Sequence, residues 1–279
     1  MRIEDHKLLP EPGADIEYKE TPNKSGSMSE GLPDTIVIHY TGGRSLDSSV
    51  RWLTNTEAGA SAHIVIGKEG KIVQLAPFNL KTWHAGVSRW KNRESMNNYS
   101  IGIELDNAGL LEKRASGYYT YFDLEINKKQ VVLATHKNES TEKPWEAFPL
   151  KQLDTVEDIC RILKKHYPIK EIVGHDDVAP DRKIDPGPAF PLKSLNDKIF
   201  VGRKGDEEEI VTQAESGMKG IVTADFLNIR TKPNIGAMKV TDPLAGGTKL
   251  RVLEKQDGWY FVKTDLEGWV SSRWVKTSI

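Results

Sequence analysis

The chain has 279 residues, more than one ordinary domain of roughly 100–200 residues requires, so a main domain with a small companion is expected. Hydrophobic residues at 38% and charged residues at 28% supply a packed core and argue against disorder throughout. With 39 basic and 40 acidic residues the formal net charge is -1, which excludes a whole-molecule field that would hold the chain on nucleic acid or an anionic membrane.

Residues 1–30 are polar and rich in turn formers (Pro10, Pro12, Gly13, Pro22, Gly26), and they read as an N-terminal arm laid over the first domain, with little chemistry of its own. The first ten residues have no long apolar run behind a basic start, and no stretch of the chain approaches the roughly 18 apolar residues of a membrane span. No export signal or membrane span is therefore expected. That fits cytoplasmic synthesis, but a leader trimmed from the sequence would leave the same picture, so localisation stays open.

Thr35–Tyr40 is a β-branched run suited to the middle of a sheet. It ends at a Thr41-Gly42-Gly43 turn. Asp47 is expected to cap a short helix carrying Val50, Trp52 and Leu53. A second strand follows at Ala62–Ile66, and Lys68–Lys71 reads as a hairpin turn into Ile72–Leu75. The polar segment Ser88–Asn98 reads as a surface loop, and Ser100–Leu105 as another strand. Residues 107–126, rich in Gly and Tyr, show no clear period. From Leu150, the apolar positions Leu153, Val156, Ile159, Cys160 and Leu163 recur at spacings of three and four. This predicts an amphipathic helix ending before Pro168, with Cys160, the one cysteine, as a small buried residue. A single cysteine also excludes an intramolecular disulfide. Ile169–Val173 is the last strand of the first domain. Strands and helices mixed in this way predict an α/β fold, a mixed central sheet flanked by helices.

Between Val201 and Gly217 the composition turns to Arg, Lys, Gly and Glu, a linker. After it, short β-type runs at 220–224, 227–230, 249–253, 259–263 and 268–270 are split by turns and predict a small all-β barrel. The expected division is thus an arm at 1–30, a first domain at 31–200, a linker at 201–217 and a second domain at 218–279.

The densest polar cluster is Gly174–Gly187. It emerges from a buried strand, where α/β folds build their sites. Its prolines limit how far it can flex, as a preorganised ligand set requires. Lys183 and Asp185, two apart, share one face in extended backbone. His175 and Asp185 offer one imidazole and one carboxylate, and His39, at the end of an apolar strand, is the natural third ligand. Two histidines, a carboxylate and a water are the open arrangement of a catalytic zinc. A histidine at a strand end is more often structural, and an Asp before Pro is often a turn, so spacing by itself leaves both readings standing.

Five blocks in order, Ile36 to Thr41 around His39, Ser61 to Ile66 around His63, Trp83 to Gly86, Ser100 to Leu105 around Glu104, and Gly174 to Gly187, resemble the type 2 N-acetylmuramoyl-L-alanine amidases, relatives of the animal peptidoglycan recognition proteins. The resemblance covers about residues 32–195. It implies a zinc amidase fold, one catalytic Zn2+ on His39, His175 and Asp185, Glu104 as the acid/base carboxylate and Lys183 beside the oxyanion. It further implies hydrolysis of the amide between the muramoyl lactyl group and L-alanine, in peptidoglycan or muropeptides. His63 and His84 match family positions that either line the cleft or hydrogen-bond the scaffold. Trp83, Trp90 and Tyr99 offer flat surfaces to sugar or peptide, or belong to the core. His6, His136 and His166 match nothing and read as structural or exposed.

The second domain, through Ala224–Pro233, Gly247–Leu253, Asp257–Val262 and Gly268–Val270, resembles a bacterial SH3-type domain. This implies a small SH3-like barrel that binds the cell wall, against the alternative of a structural appendage. Two other functions remain beside the amidase: a recognition protein that holds muropeptide without cutting it, and a hydrolase for a different amide.

Overall fold

The computed structural model describes residues 1–11, 15–201, 218–233, 237–256, 258–264, 267–272 and 275–278. The chain divides into two compact units, Met1–Lys204 and Gly205–Ile279.

The first unit is built on six strands: β1 (Ile16–Tyr18), β2 (Thr35–Tyr40), β3 (Ile64–Ile66), β4 (Ile72–Gln74), β5 (Ser100–Leu105) and β6 (Glu171–Gly174), in the order β6-β2-β5-β3-β4-β1. The pairs β6/β2, β2/β5, β5/β3 and β4/β1 are parallel and β3/β4 is antiparallel, a mixed sheet. Alternation along β2 and β5 sorts their side chains between two faces. Ile36, Ile38, Ile101 and Ile103 pack with Leu153, Val156, Ile159, Cys160 and Leu163 of α2 (Leu150–His166). On the opposite face Val37 joins Met96, Val173 and Val178, while Val65, Val73 and Leu75 meet Val50 and Leu53 of α1 (Leu46–Leu53). The next residue along each strand on this second face is His39 or Glu104. Helices therefore cover both sides of the sheet, and burying each such aliphatic side chain contributes about 1.5–3 kcal/mol.

Several expectations need correction. The N-terminal arm is not merely laid over the unit: β1 is its edge strand, Leu8 is a core residue, and Thr21 and Asn23 bind the backbone at Leu53, Asn55 and Ala60. Helix α1 is capped by Ser45, whose hydroxyl accepts from the Ser48 N–H at 3.2 Å, and Asp47 falls inside the first turn. The loop at 88–98 contains the hairpin Arg89–Trp90/Arg93–Glu94 and a 3-10 turn that buries Met96. Residues 107–126 form the three-stranded sheet Glu112–Arg114/Gly117–Tyr119/Glu125–Ile126. Next to it in sequence lies a hairpin, Val131–Thr135/Glu142–Glu146, that periodicity did not reveal.

The second unit holds β7 (Met218–Val222), β8 (Lys249–Gln256), β9 (Trp259–Lys263), β10 (Glu267–Ser271) and β11 (Val275–Ser278) in the antiparallel order β10-β9-β8-β7-β11, with a small pair Phe226–Leu227/Leu244–Ala245. Its core is Val222, Leu227, Ile229, Leu250, Val252, Tyr260, Val262, Val270 and Val275. The strand-rich, half-barrel arrangement fits an SH3-like domain, and β11 adds a strand to those expected. The expected linker at 201–217 lies, apart from Val201, outside the described residues. Among the described residues, no helix is long and apolar enough to cross a membrane.

Candidate active site

Three neighbouring parallel strands end at one edge of the sheet, the usual place for a site in such folds. His39 stands next to last on β2, Glu104 is its registered partner on β5, and His175 directly follows β6 as the first residue of the one-turn helix α3 (His175–Val178). Asp185 returns to the same point because the loop is pinned by its backbone: the Asp176 N–H donates to the Asp185 carbonyl at 2.8 Å, and the Arg182 and Lys183 N–H groups donate to the Ala179 carbonyl.

His39 Nδ1, His175 Nδ1 and Asp185 Oδ2 form a nearly equilateral triangle with sides of 2.9, 3.0 and 3.0 Å. All three residues are buried. The outer nitrogens settle the protonation of the imidazoles. A carbonyl cannot donate, so the 3.3 Å contact of His175 Nε2 with the Ala85 carbonyl and of His84 Nε2 with the Ser100 carbonyl each place a proton on Nε2. His84 Nδ1 is then left to accept from His39 Nε2 at 3.1 Å. Burial first, then the neighbouring His175, lowers His39 to a pKa of about 4 against the pull of Asp185. With their Nε2–H groups turned outward, the imidazoles of His39 and His175 present Nδ1 beside the Asp185 carboxyl around one point, an arrangement a cation between them satisfies. Donors around a four-coordinate zinc with bonds of about 2.0–2.1 Å stand roughly 3.3 Å apart, close to the observed triangle. The donor set fits a zinc ion.

Glu104 borders the same cavity, of about 350 Å³, with Lys183, Trp52, Trp83 and Arg182 also on its wall. Its Oε2 is buried without a hydrogen-bond partner. Burial, then the Asp185 charge, raises the carboxyl to a pKa of about 8, with Lys183 acting in the opposite direction. No described residue forms an ion pair with the Lys183 ammonium.

The remaining expected residues separate. Trp83 is on the cavity wall, its indole N–H donating to Ser25 Oγ at 2.9 Å. His84 is also on the wall, orienting His39. Its ring lies against Gly102, where a Cβ would stand 2.4 Å from His84 Cγ, so a glycine in mid-strand makes room for this imidazole. His63 has no surface on the cavity and is fully buried: its Nδ1 accepts from the Gly102 N–H and Thr82 hydroxyl, and its Nε2–H donates to the Leu80 carbonyl. Both nitrogens serve the scaffold. Trp90 and Tyr99 pack on the Val37 cluster away from the cavity. His136 is buried and donates to Asp176, and His6 bonds the Tyr167 hydroxyl.

Arg182 and Trp52 escaped the sequence reading. Arg182 clamps the Ala85 and Val87 carbonyls, bringing the Trp83–Gly86 segment to the Gly174–Gly187 loop. Its place beside Lys183, inside a block that matches the family, was the available signal; Trp52 gave none beyond its helix.

Residues 29–188 match the N-acetylmuramoyl-L-alanine amidase family, and residues 225–276 match the bacterial SH3 domain family. The chain belongs to the N-acetylmuramoyl-L-alanine amidase family. It is 37% identical over 130 residues to the 1,6-anhydro-N-acetylmuramyl-L-alanine amidase AmpD of Escherichia coli K12, a match that takes in 47% of this chain and 53% of that one. It is 33% identical over 168 residues to the N-acetylmuramoyl-L-alanine amidase AmiD of the same strain, across 57% of this chain and 51% of the relative. The chain thus spans about half the length of these two relatives. Among solved structures it resembles a selenomethionine derivative of AmpD at 25% identity and a TM-score of 0.48, covering 70% of this chain and 99% of that one.

Proposed function

We propose that the first unit is a zinc-dependent amidase that hydrolyses the amide between the N-acetylmuramoyl lactyl group and L-alanine in peptidoglycan or its muropeptides. The observation that carries this reading is the meeting of His39, His175 and Asp185 beside an unpartnered Glu104 in one cavity, in a chain of this family.

Zinc held by the three ligands would polarise the scissile carbonyl and acidify a water at its open position. Glu104 takes a proton from the attacking water and passes it to the departing amine of L-alanine, and its unpartnered carboxyl oxygen suits that exchange. Lys183, with no acidic partner among the described residues, offers its ammonium to the negative charge that gathers on the carbonyl oxygen. His84 holds the Nε2–H of His39 and so keeps the lone pair of His39 Nδ1 on the metal side.

We assign residues 31–200 to catalysis and 218–279 to contact with the cell wall, joined through 201–217. Deletion of 217–279 is expected to reduce co-sedimentation with intact sacculi, and unchanged sedimentation would remove the targeting role.

The deciding experiment is mass spectrometry of intact and anhydro muropeptides incubated side by side with the protein, before and after chelation and zinc return. Free stem peptide beginning with L-alanine, lost on chelation and restored by zinc, is the expected result. Binding without cleavage would move the protein to the recognition class. Glu104→Gln is expected to keep its zinc and lose turnover by about 10²–10⁴-fold; full activity would overturn the role of Glu104.

A further inference from the structure

A second cavity, of about 360 Å³, adjoins the first, and Glu104, Thr41 and Trp52 stand on the walls of both. Its volume lies within the range of ligand pockets. Three features mark it as more than a surface dent. The Ser49 hydroxyl, on a residue that is only 6% exposed, has no hydrogen-bond partner, although a buried hydroxyl left unmet is costly. A Cβ on Gly43 would stand 2.1 Å from that oxygen, so only a glycine lets the loop lie this close to it. Arg44 rests its guanidinium 4.8 Å from the centre of the Phe122 ring and has no acidic partner among the described residues. Trp52 and Tyr121, 57% and 74% exposed, complete the wall with bare aromatic surface.

We propose that this cavity is a carboxylate-recognising subsite for the leaving peptide, with Arg44 and Ser49 as its carboxylate donors and Trp52 and Tyr121 as its apolar walls. The inference rests on the amidase reading. If Glu104 delivers its proton to the departing amine, the amine lies against Glu104 and the peptide behind it continues into the cavity that Glu104 shares. In a stem such as the L-Ala-D-γ-Glu-L-Lys named in the substrate complex of the amidase AmiD of E. coli, the second residue is a glutamate linked through its side chain, so a free α-carboxylate follows the scissile amide closely. A guanidinium and a hydroxyl, five N–H donors and one O–H, are the chemistry that receives such a group. Conversion of that carboxylate to a carboxamide removes the charge and leaves the shape.

The test compares two muramoyl peptides that differ only in this group, a free α-carboxylate or its carboxamide, in wild type, Arg44→Ala and Arg44→Lys. Wild type is expected to show a KM roughly tenfold lower for the carboxylate form, with similar kcat. In Arg44→Ala this ratio collapses toward one, and Arg44→Lys retains part of it, since an ammonium keeps the charge and loses the fork. Calorimetric binding of the released free peptides to wild type and Arg44→Ala should show the same loss of preference, a readout independent of turnover. If wild type cleaves both substrates with equal KM, or Arg44→Ala leaves the ratio intact, the subsite is overturned and the amidase reading stands. If wild type cleaves neither, the amidase reading fails and the subsite with it.

Discussion

The loop Gly174–Gly187 and the segment Asn107–Glu146 meet in the first unit, and they contribute in opposite ways. The loop carries His175, Lys183 and Asp185 and is held by bonds within itself: Asp176 N–H to Asp185, Gly174 N–H to Asp177 Oδ2, Lys183 N–H to Ala179. The segment carries none of the proposed ligands. It is tied down at Glu146, which accepts from the Ala108 N–H and pairs with Lys68, and it buttresses the loop through His136 and Lys137, which bond Asp176. Trp145, 1% exposed, stacks on His136 and lies where a Cβ on Gly187 would be 2.8 Å from its ring. The proposed chemistry is local to one region and its positioning is supplied by another, and this division can be broken from either side.

The largest effect is expected at the loop. Asp185→Ala removes the only carboxylate from the donor triangle, so zinc measured by atomic emission should fall to background. Turnover should drop by about 10³-fold or more. Retention of a full zinc equivalent would show that the triangle is not the metal site.

The next effect comes from the buttress. Trp145→Ala opens a cavity under the loop and should cost about 3–5 kcal/mol of stability, read as a lower urea midpoint. A smaller cut, Asp176→Asn, weakens the charged bond with Lys137 while keeping the shape. Zinc affinity should fall about tenfold with the fold intact by circular dichroism. Unchanged affinity would mean that the loop positions its ligands without the hairpin.

These two regions also differ in how far they could be read from the sequence. The loop was legible because its Pro-rich, polar run follows a buried strand and because His39 ends an apolar strand without an apolar reason for its place, whereas Glu104 was singled out only by the family resemblance. Helix α2 was legible from period alone, and its bounds, Leu150–His166, fall as expected. The buttress was not legible, because its pairing depends on contacts distant in sequence. Pro144 sits inside a strand, and the strand Glu142–Glu146 is charged at both ends, so no alternation marks it. The Ser45 cap was missed because Ser45, Asp47 and Ser48 are all competent caps, and only the bond from Ser48 N–H decides between them. His63 illustrates the converse: its position reads as cleft or scaffold in the sequence, and only the folded chain gives partners to both of its ring nitrogens.

The smallest effect supplies the control, at the far end of the same strands. Asp34, just before β2, is buried, and both of its carboxylate oxygens accept from the Arg93 guanidinium, at 2.7 and 2.9 Å. Burial would raise this carboxyl, but the bonds from Arg93 and Thr35 outweigh it and hold the folded value below the ordinary one. A depressed carboxyl contributes stability that is present above the unfolded value, about 3.9, and is lost as pH falls through the lower folded value. Arg93→Ala should therefore cost about 1–2 kcal/mol at pH 7, a figure discounted for the partial exposure of Arg93. The gap between variant and wild type should narrow as the solution is taken below pH 4, while zinc content per folded molecule at pH 7 stays at the wild-type level. Thermal midpoints across that range measure the first, and metal analysis the second. A variant that loses zinc as well would mean that the two ends of the sheet are coupled, and the division between chemistry and positioning would have to extend along the whole of β2.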